Sequence, residues 1–267
     1  MTLRLPPLQA LPLPAPSREP AREPPEPLRF GEFAITETRG FPPPSRPECW
    51  VYVTLNAEIA LAARACEGLR QLLQSTRVRV SVDGQWIWWA LRRKYPQQPL
   101  AKLSGSDLIY ELAAHCAAGQ RRLMLLGASE ASNAAAVRAL RQRWPGLQVA
   151  GLAMPAFEPG TASERASVAQ SLQAIRAQAA DYVVLALGPG KQYRFAWALA
   201  GELDGLVSGL LCFGGAIDMV GGSVRRAPKA WQDRGLESVY RVLQQPSRAR
   251  RWLGTLRILP RLALGRF

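Results

Sequence analysis

The chain has 267 residues, of which 48% are apolar, so it is long enough to bury a sizeable core. Its 34 Lys and Arg against 20 Asp and Glu give a formal net charge of +14, which favours nucleic acid, an acidic membrane surface or phosphorylated substrates as partners. Four scattered cysteines without a CxxC pair, and a single histidine, argue against a zinc site and a histidine-based triad.

The first 47 residues are rich in proline, arginine and glutamate, and they contain 13 of the 22 prolines. Such a composition buries little apolar surface, so residues 1–47 are predicted to be a disordered or polyproline-like leader. The leader is either a passive tail or an arm that binds a partner. The prolines also interrupt its apolar residues, and no later segment has about twenty uninterrupted apolar residues, so no membrane-spanning helix is predicted.

Residues 48–220 alternate between strand and helix patterns. The predicted strands are WVYVTL, VRVSV, RRLMLLG, LQVAGLAM, DYVVLALG and GLLCFGG. Stretches with apolar residues at helical spacing, such as AEIALAARACEGLRQLLQ, lie between them. The alternation predicts a Rossmann-like α/β domain with a mainly parallel sheet and helices on both faces. A nicotinamide-dependent dehydrogenase is disfavoured, because no GxGxxG follows the first strand.

Polar residues and glycines follow several predicted strands, where open parallel sheets bind ligands. Asn56 follows the first strand, Asp83 the second and Gly127 the third. Because the carboxyl ends of parallel strands share one edge of a sheet, these residues should converge there. Asp83 is the best-placed candidate for a general base, although Asp-Gly is also an ordinary turn pair.

The stretch LGPGKQ, residues 187–192, joins the strand DYVVLA to a predicted helix. Its glycines, Gly188 and Gly190, would leave backbone N–H groups free at a helix start, which suits a phosphate, or they could serve the turn alone. We expect Gln192 of this stretch to face Asp83 across a cleft.

Other polar and aromatic residues have structural alternatives. Asp107 is better explained as a helix cap than as a reacting group, and Asp218 and Glu237 lie among arginines with which they could pair. His115 lies in a predicted helix and is interpreted as structural. The tryptophans after Asp83 could contact a ligand or pack in the core, and they are Trp86, Trp88 and Trp89.

Residues 221–267 contain eleven Lys and Arg and two acidic residues, with leucines interleaved. A basic amphipathic helix of this kind, interrupted by Pro260, suits the surface of an anionic membrane. The alternative is a helical tail that packs its leucines on the core. Nucleic acid is disfavoured as a partner, because no RNA-recognition, helix-turn-helix or zinc-finger signature accompanies the charge.

A set of motifs occurs in one order over roughly residues 50–255. They are VTLNAE, VDGQWI, KLSGSDL, LMLLGAS, WPGLQVAG, GPGKQ, FGGAIDMVGGSVRRAP and GLESVYRVLQQPSR. Together they resemble the WecG/TagA/CpsF family of bacterial glycosyltransferases. The resemblance implies an inverting, metal-independent transfer from a UDP-sugar to a polyprenyl-diphosphate-linked saccharide, in exopolysaccharide or cell-surface polysaccharide assembly. It also implies a Rossmann-like core, a C-terminal appendage that helps dock the lipid substrate, no cofactor, and a cytoplasmic location, peripheral at the inner face of the cell membrane.

The resemblance also implies roles for single residues. Asp83 matches the family's proposed base, Thr54 and Asn56 lie near the sugar or acceptor, and Gln192 lies near the nucleotide. Arginine forks can stabilise a departing diphosphate, and no DxD metal motif is present. The candidates for holding the diphosphate are Lys102, Arg226, Arg241 and Arg248, and the candidate nucleotide cradle comprises Gly127, Gly188 and Gly190.

The chain departs from the family pattern at the glycine-bearing turn, where Pro189 is moved by one position and Tyr193 replaces a glutamate. These changes leave the transferred sugar open among N-acetylmannosamine, its uronic acid and glucose. The acceptor glycan and the oligomeric state, including a homo-oligomer, are also open. The alternative function is a non-catalytic Rossmann-like protein that binds nucleic acid through its basic tail.

Overall fold

The computed structural model describes residues 28–38, 41, 47–154, 156–188 and 190–263. Its strands are β1 (Leu28–Phe30), β2 (Phe33–Ile35), β3 (Trp50–Leu55), β4 (Val78–Val82), β5 (Arg122–Gly127), β6 (Gln148–Leu152), β7 (Tyr182–Ala186) and β8 (Gly209–Cys212). The last six form one fully parallel sheet in the order β4-β3-β8-β7-β5-β6. This order puts β8, the last strand in the chain, beside β3, the first strand of that sheet.

The helices alternate with the strands and then continue alone to the C-terminus. They are α1 (Ala57–Ala65), α2 (Glu67–Gln74), α3 (Gln85–Lys94), α4 (Gly105–Ala118), α5 (Glu130–Arg143), α6 (Ala162–Gln178), α7 (Lys191–Ala200), α8 (Ala216–Val220), α9 (Lys229–Asp233), α10 (Glu237–Gln244), α11 (Ala249–Thr255) and α12 (Leu259–Ala263). Among the described residues, none of these helices is long and apolar enough to cross a bilayer.

The sheet separates two apolar cores, because side chains alternate between its faces along each strand. Val51 and Val53 of β3 enter one core, while Trp50 and Tyr52 enter the other. Helices α1, α2, α3, α6 and α7 contribute to the first core, and α4, α5 and α8 to the second. The predicted Rossmann-like arrangement, with helices on both faces of a parallel sheet, is confirmed.

Strands β1 and β2 form an antiparallel hairpin within the segment predicted to be a disordered leader. The apolar side chains of this hairpin are buried in the first core, and they are Leu28, Phe30, Phe33 and Ile35. The structure therefore differs from the prediction here, because a short local alternation of apolar residues among prolines is enough to cover the edge of the core. The remainder of the predicted leader, apart from residues 36–38, 41 and 47, lies outside the described residues.

The C-terminal helices α9 to α12 return over the carboxyl end of the sheet, where α11 packs on α1. Ile258 is completely buried in the first core, and Leu259 and Leu262 pack against it. Some of the apolar side chains of this tail are therefore buried in the fold. This arrangement agrees with the alternative in which the tail packs its leucines on the core.

Candidate active site

A cavity of about 240 Å³ lies at the carboxyl ends of β3, β4 and β8, beneath the C-terminal helices. Five of the predicted site residues line it, and they are Asn56, Asp83, Lys102, Arg241 and Arg248. Ligands of open α/β sheets bind at this edge, in agreement with the expectation from the strand pattern. Residues at the start of α4 and α10 complete the cavity wall, among them the α4 N-cap residue Ser104, Ser106 and Glu237.

Backbone hydrogen bonds hold Asn56 and Asp83 at one rim. The carbonyl of Leu55, at the end of β3, accepts from the N–H of Asp83 at 2.9 Å and from that of Gly84 at 3.2 Å. A Cβ atom on Gly84 would lie only 3.0 Å from the Cα of Asn56, so the two loops could not approach as closely with a larger residue. Asp83 and Asn56 are therefore neighbours although 27 positions separate them in the chain.

The segment before α4 adds further polar groups beside Asp83. The N–H of Leu103 donates to the carbonyl of Val82 at 2.7 Å, which aligns this segment with the end of β4. As a result the Ser104 hydroxyl lies close enough to the Asp83 carboxylate to lower its pKa, and it shares a hydrogen bond of 2.9 Å with the Ser106 hydroxyl. In the same segment, the Lys102 Nζ donates to the side-chain oxygen of Gln85 at 3.0 Å. Sequence reasoning missed Ser104, because its role depends on this pairing of distant segments.

Burial raises the pKa of Asp83 from its ordinary value of 3.8 to about 6. The negative charge of Glu237 acts in the same direction, while the polar Ser104 hydroxyl and the charges of Lys102 and Arg226 oppose the shift. A carboxylate whose pKa lies near neutrality is ionised at pH 7 and is basic enough to accept a proton from a hydroxyl in the transition state. Asp83 therefore has the properties of a general base.

Three arginines from the C-terminal helices surround the cavity. Arg251 forms an ion pair with Glu58 of α1, with 3.1 Å between Nε and Oε1. Within the described part of the chain, Arg241 and Arg248 have no carboxylate within salt-bridge distance, and the buried Nε of Arg241 has no hydrogen-bond partner. Arg241 lies close to the end of β8, since a Cβ on Gly215 would be 2.7 Å from its Nη2.

The surroundings disfavour the positive charge on both of these arginines. Burial lowers the pKa of Arg241, and burial together with the charges of Arg241 and Arg251 lowers the pKa of Arg248 to about 10. Both guanidiniums remain charged near pH 7, but they are partly desolvated, and the more distant carboxylates, among them Asp218, offset this only in part. An anionic ligand in the cavity would remove this penalty, and a diphosphate matches the fork-shaped donor pattern of arginine.

The structure gives Arg226 different partners from those predicted. Its guanidinium binds both carboxylate oxygens of Asp107 at the start of α4, with 2.6 Å between Nη2 and Oδ2, and its Nε lies 3.7 Å from Oε1 of Glu237. Arg226 does not line the cavity. It instead joins α4 to α10, and in this way it fixes two elements of the cavity wall.

The predicted nucleotide cradle, formed by glycines after β5 and β7, is not part of the cavity lining. Gly127 has φ +107°, and a Cβ there would lie 2.5 Å from the carbonyl oxygen of Ala186, so glycine permits the close approach of two strand ends. Gly188 and Gly190 have φ +83° and +81°, conformations that turns from strand to helix often require. Pro189 between them lies outside the described residues.

Gln192 and Thr54 are also placed away from the cavity. Gln192 is 3% exposed, and its Oε1 accepts from the N–H of Gly214 at 3.2 Å. Its side chain therefore holds the loop that follows β8. Asp83 therefore lines the cavity and Gln192 does not, in contrast to the expectation that they face each other. Thr54 is buried within β3, and Tyr193, which stands at the family's glutamate position, is buried in the first core.

Within the described residues, no group of three or more His, Cys, Asp or Glu side chains is placed to hold a metal ion. A comparison with protein families matches residues 44–267 to the model described as the glycosyl transferase WecG/TagA/CpsF family. The match spans the whole parallel sheet, the residues around the cavity and the C-terminal helices. The chain therefore belongs to the WecG/TagA/CpsF family of glycosyl transferases.

Proposed function

We propose that the protein transfers a hexose-type sugar from a UDP-sugar to a polyprenyl-diphosphate-linked saccharide, with inversion at the anomeric carbon. The observation that carries the proposal is one cavity in which an acid of raised pKa, Asp83, lies together with two arginines that lack an anionic partner, Arg241 and Arg248. We place the reaction in bacterial exopolysaccharide or cell-surface polysaccharide assembly, at the inner face of the cell membrane.

Asp83 is the base in this mechanism. Its carboxylate accepts the proton of the acceptor hydroxyl while the hydroxyl oxygen attacks the anomeric carbon of the donor sugar. The bond to the UDP oxygen breaks on the opposite face, so one displacement inverts the configuration. Proton transfer of this kind contributes on the order of 10²–10⁴-fold to the rate.

Arg241 and Arg248 stabilise the departing UDP. Charge develops on the diphosphate as the glycosidic bond breaks, and fixed cations around a partly desolvated cavity stabilise that charge more than water does. Lys102 adds a third positive group to the cavity lining. The Oδ1 of Asn56 caps α1 by accepting from the N–H of Ile59 at 3.1 Å, so its amide nitrogen is the group left to bind a sugar hydroxyl.

The test is release of UDP by the full-length protein from a panel of UDP-sugars, with and without a synthetic polyprenyl-diphosphate saccharide. We expect release from one or a few donors, and only when the acceptor is present. No release from any donor, together with salt-dependent binding to DNA or RNA, would support the alternative of a non-catalytic nucleic-acid-binding protein.

A further inference from the structure

Glu237, the first residue of α10, is an acidic residue of the cavity that the proposed mechanism does not use. Among the described residues, the carboxylates of the lining are those of Glu58, Asp83 and Glu237. Asp83 is the proposed base, and Glu58 is paired with Arg251 at 3.1 Å. The side chain of Glu237 is 23% exposed in the cavity wall, so a ligand can reach it.

Arg226 holds the Glu237 carboxylate from outside the cavity lining. Its two terminal nitrogens bind Asp107, and its buried Nε lies 3.7 Å from Oε1 of Glu237. At this distance the two groups form an ion pair without a hydrogen bond. Within the described part of the chain no other group donates a hydrogen bond to this carboxylate. Glu237 is therefore fixed in position while its acceptor sites remain open to a ligand.

Several neutral oxygens of the lining already accept hydrogen bonds within the protein. Oδ1 of Asn56 caps α1, Oε1 of Gln85 accepts from a lysine ammonium at 3.0 Å, and Oγ of Ser238 accepts from an indole N–H at 3.2 Å. A sugar presents several hydroxyl donors, and a carboxylate accepts hydrogen bonds from them more strongly than a neutral oxygen does. Apart from the base, Glu237 is thus the lining residue best suited to bind sugar hydroxyls.

The position of Glu237 along α10 places it beside the proposed diphosphate site. Glu237 and Arg241 are four residues apart on this helix, and both line the cavity. Helix residues with this spacing are neighbours, with about 5–6 Å between their Cβ atoms. The sugar of a UDP-sugar whose diphosphate binds Arg241 therefore lies within reach of Glu237.

The charges of the lining leave no cation for an acidic sugar. Within the described residues, the lining cations that have no carboxylate at salt-bridge distance are Lys102, Arg241 and Arg248. The proposed mechanism uses all of them for the diphosphate, in which each phosphate carries a negative charge. Asp83 and Glu237 are negative as well. The carboxylate of a uronic acid would therefore meet like charge at Glu237 and find no partner, an arrangement that discriminates strongly against a ligand.

We propose that Glu237 binds hydroxyl groups of the transferred sugar and restricts the donor to UDP-sugars without a carboxyl group. This inference rests on the proposed function and deepens it, because it names the substrate class of the same cavity. Of the sugars that the motifs leave open, it retains N-acetylmannosamine and glucose and excludes the uronic acid. If Glu237 served only to pair with Arg226, its replacement would affect neutral and acidic donors alike.

The test uses donor pairs that differ only at C6 of the sugar. They are UDP-glucose with UDP-glucuronic acid, and UDP-N-acetylmannosamine with its uronic acid. Binding to the full-length protein is measured by calorimetry without acceptor, and UDP alone is the reference ligand. In the pair that binds more tightly, the wild type should favour the neutral member on the order of 100-fold. Equal affinities, or tighter binding of the acidic member, would overturn the inference.

Glu237→Gln keeps the size of the side chain and removes its charge. Affinity for the neutral donor should fall roughly tenfold and affinity for UDP should change less than about twofold, so the preference for the neutral donor shrinks. Glu237→Asp retains the charge and should retain the preference. Asp233→Asn removes a charge from an exposed residue outside the lining, and this matched control should behave as the wild type.

Two results separate this inference from the function on which it rests. Equal losses for both donors and for UDP in Glu237→Gln would mean that Glu237 only supports the fold, and the inference alone would fail. A wild-type protein that binds neither UDP nor any UDP-sugar would overturn the proposed function and the inference with it. Thermal unfolding of each variant checks that the fold is retained.

Discussion

The carboxyl edge of the sheet has two halves with similar backbone geometry and different chemistry. At the ends of β3, β4 and β8, Asp83 has a raised pKa, and within the described residues no carboxylate lies at salt-bridge distance from Arg241 or Arg248. At the ends of β5 and β7, Gly127 lies against the neighbouring strand and Gln192 binds a backbone N–H. Glycine turns and a polar residue at a strand end therefore do not by themselves identify a ligand site in this protein. Charges that the fold leaves uncompensated are the better indicator.

Removal of the base should have the largest effect. Asp83→Asn keeps the shape of the side chain but cannot accept the proton, so kcat should fall on the order of 10²–10⁴-fold. The measurement is UDP release under saturating substrates. In the wild type, kcat/KM should fall with a slope of one proton as the pH drops below about 6, the pKa of Asp83. Activity within tenfold of wild type in Asp83→Asn would remove Asp83 from the mechanism.

Removal of one cavity arginine should have the next largest effect. Arg248→Ala takes away a cation that stabilises the leaving diphosphate, so kcat/KM should fall roughly 10²–10³-fold. Arg257→Ala, an exposed arginine outside the cavity lining, is the matched control and should stay within twofold. Similar losses in both variants would mean that net positive charge matters and not the position in the cavity.

The raised pKa of Asp83 also affects stability. The folded protein binds the Asp83 proton more tightly than the unfolded chain, so this group's contribution is fully present below about pH 4 and is lost as the pH rises through about 6. Asp83→Asn has no such dependence. At pH 8 it should be more stable than the wild type by about 2–3 kcal/mol, and the difference should disappear as the pH approaches 4. Urea unfolding of both proteins at pH 8, 6 and 4 measures this difference in the free energy of unfolding. A difference that does not change with pH would contradict the assigned pKa.

The glycine-bearing turn should show a smaller effect, on stability alone. A Cβ at Gly188 meets no atom within 4 Å, but its φ of +83° strains any other residue. Gly188→Ala should therefore lower the free energy of unfolding by about 1–2 kcal/mol and leave KM for the UDP-sugar unchanged. An increased KM with an intact fold would instead place the nucleotide at this turn and support the predicted cradle.

Asp83 and Asn56 could be predicted from the sequence because each directly follows a buried strand, and parallel strands bring their carboxyl ends to one edge. The partners of Arg226 could not be predicted in the same way. Its contact with Asp107 joins residues 119 positions apart, and it forms only because the segment between α8 and α9 lies beside the start of α4. The same limit applies to Ser104, whose position beside Asp83 depends on how a loop aligns with β4.

The sequence by itself determined the succession of strands and helices, the basic character of the chain and the family, since periodicity, charge and motifs are local properties. The tertiary structure alone decided that β8 lies beside β3, which strand ends share the cavity, and which arginines remain without a carboxylate. The physical reason is that strand order depends on where each crossover helix returns the chain. The sequence of a strand does not indicate which strands lie beside it, and the charge balance of a site depends on those neighbouring strands.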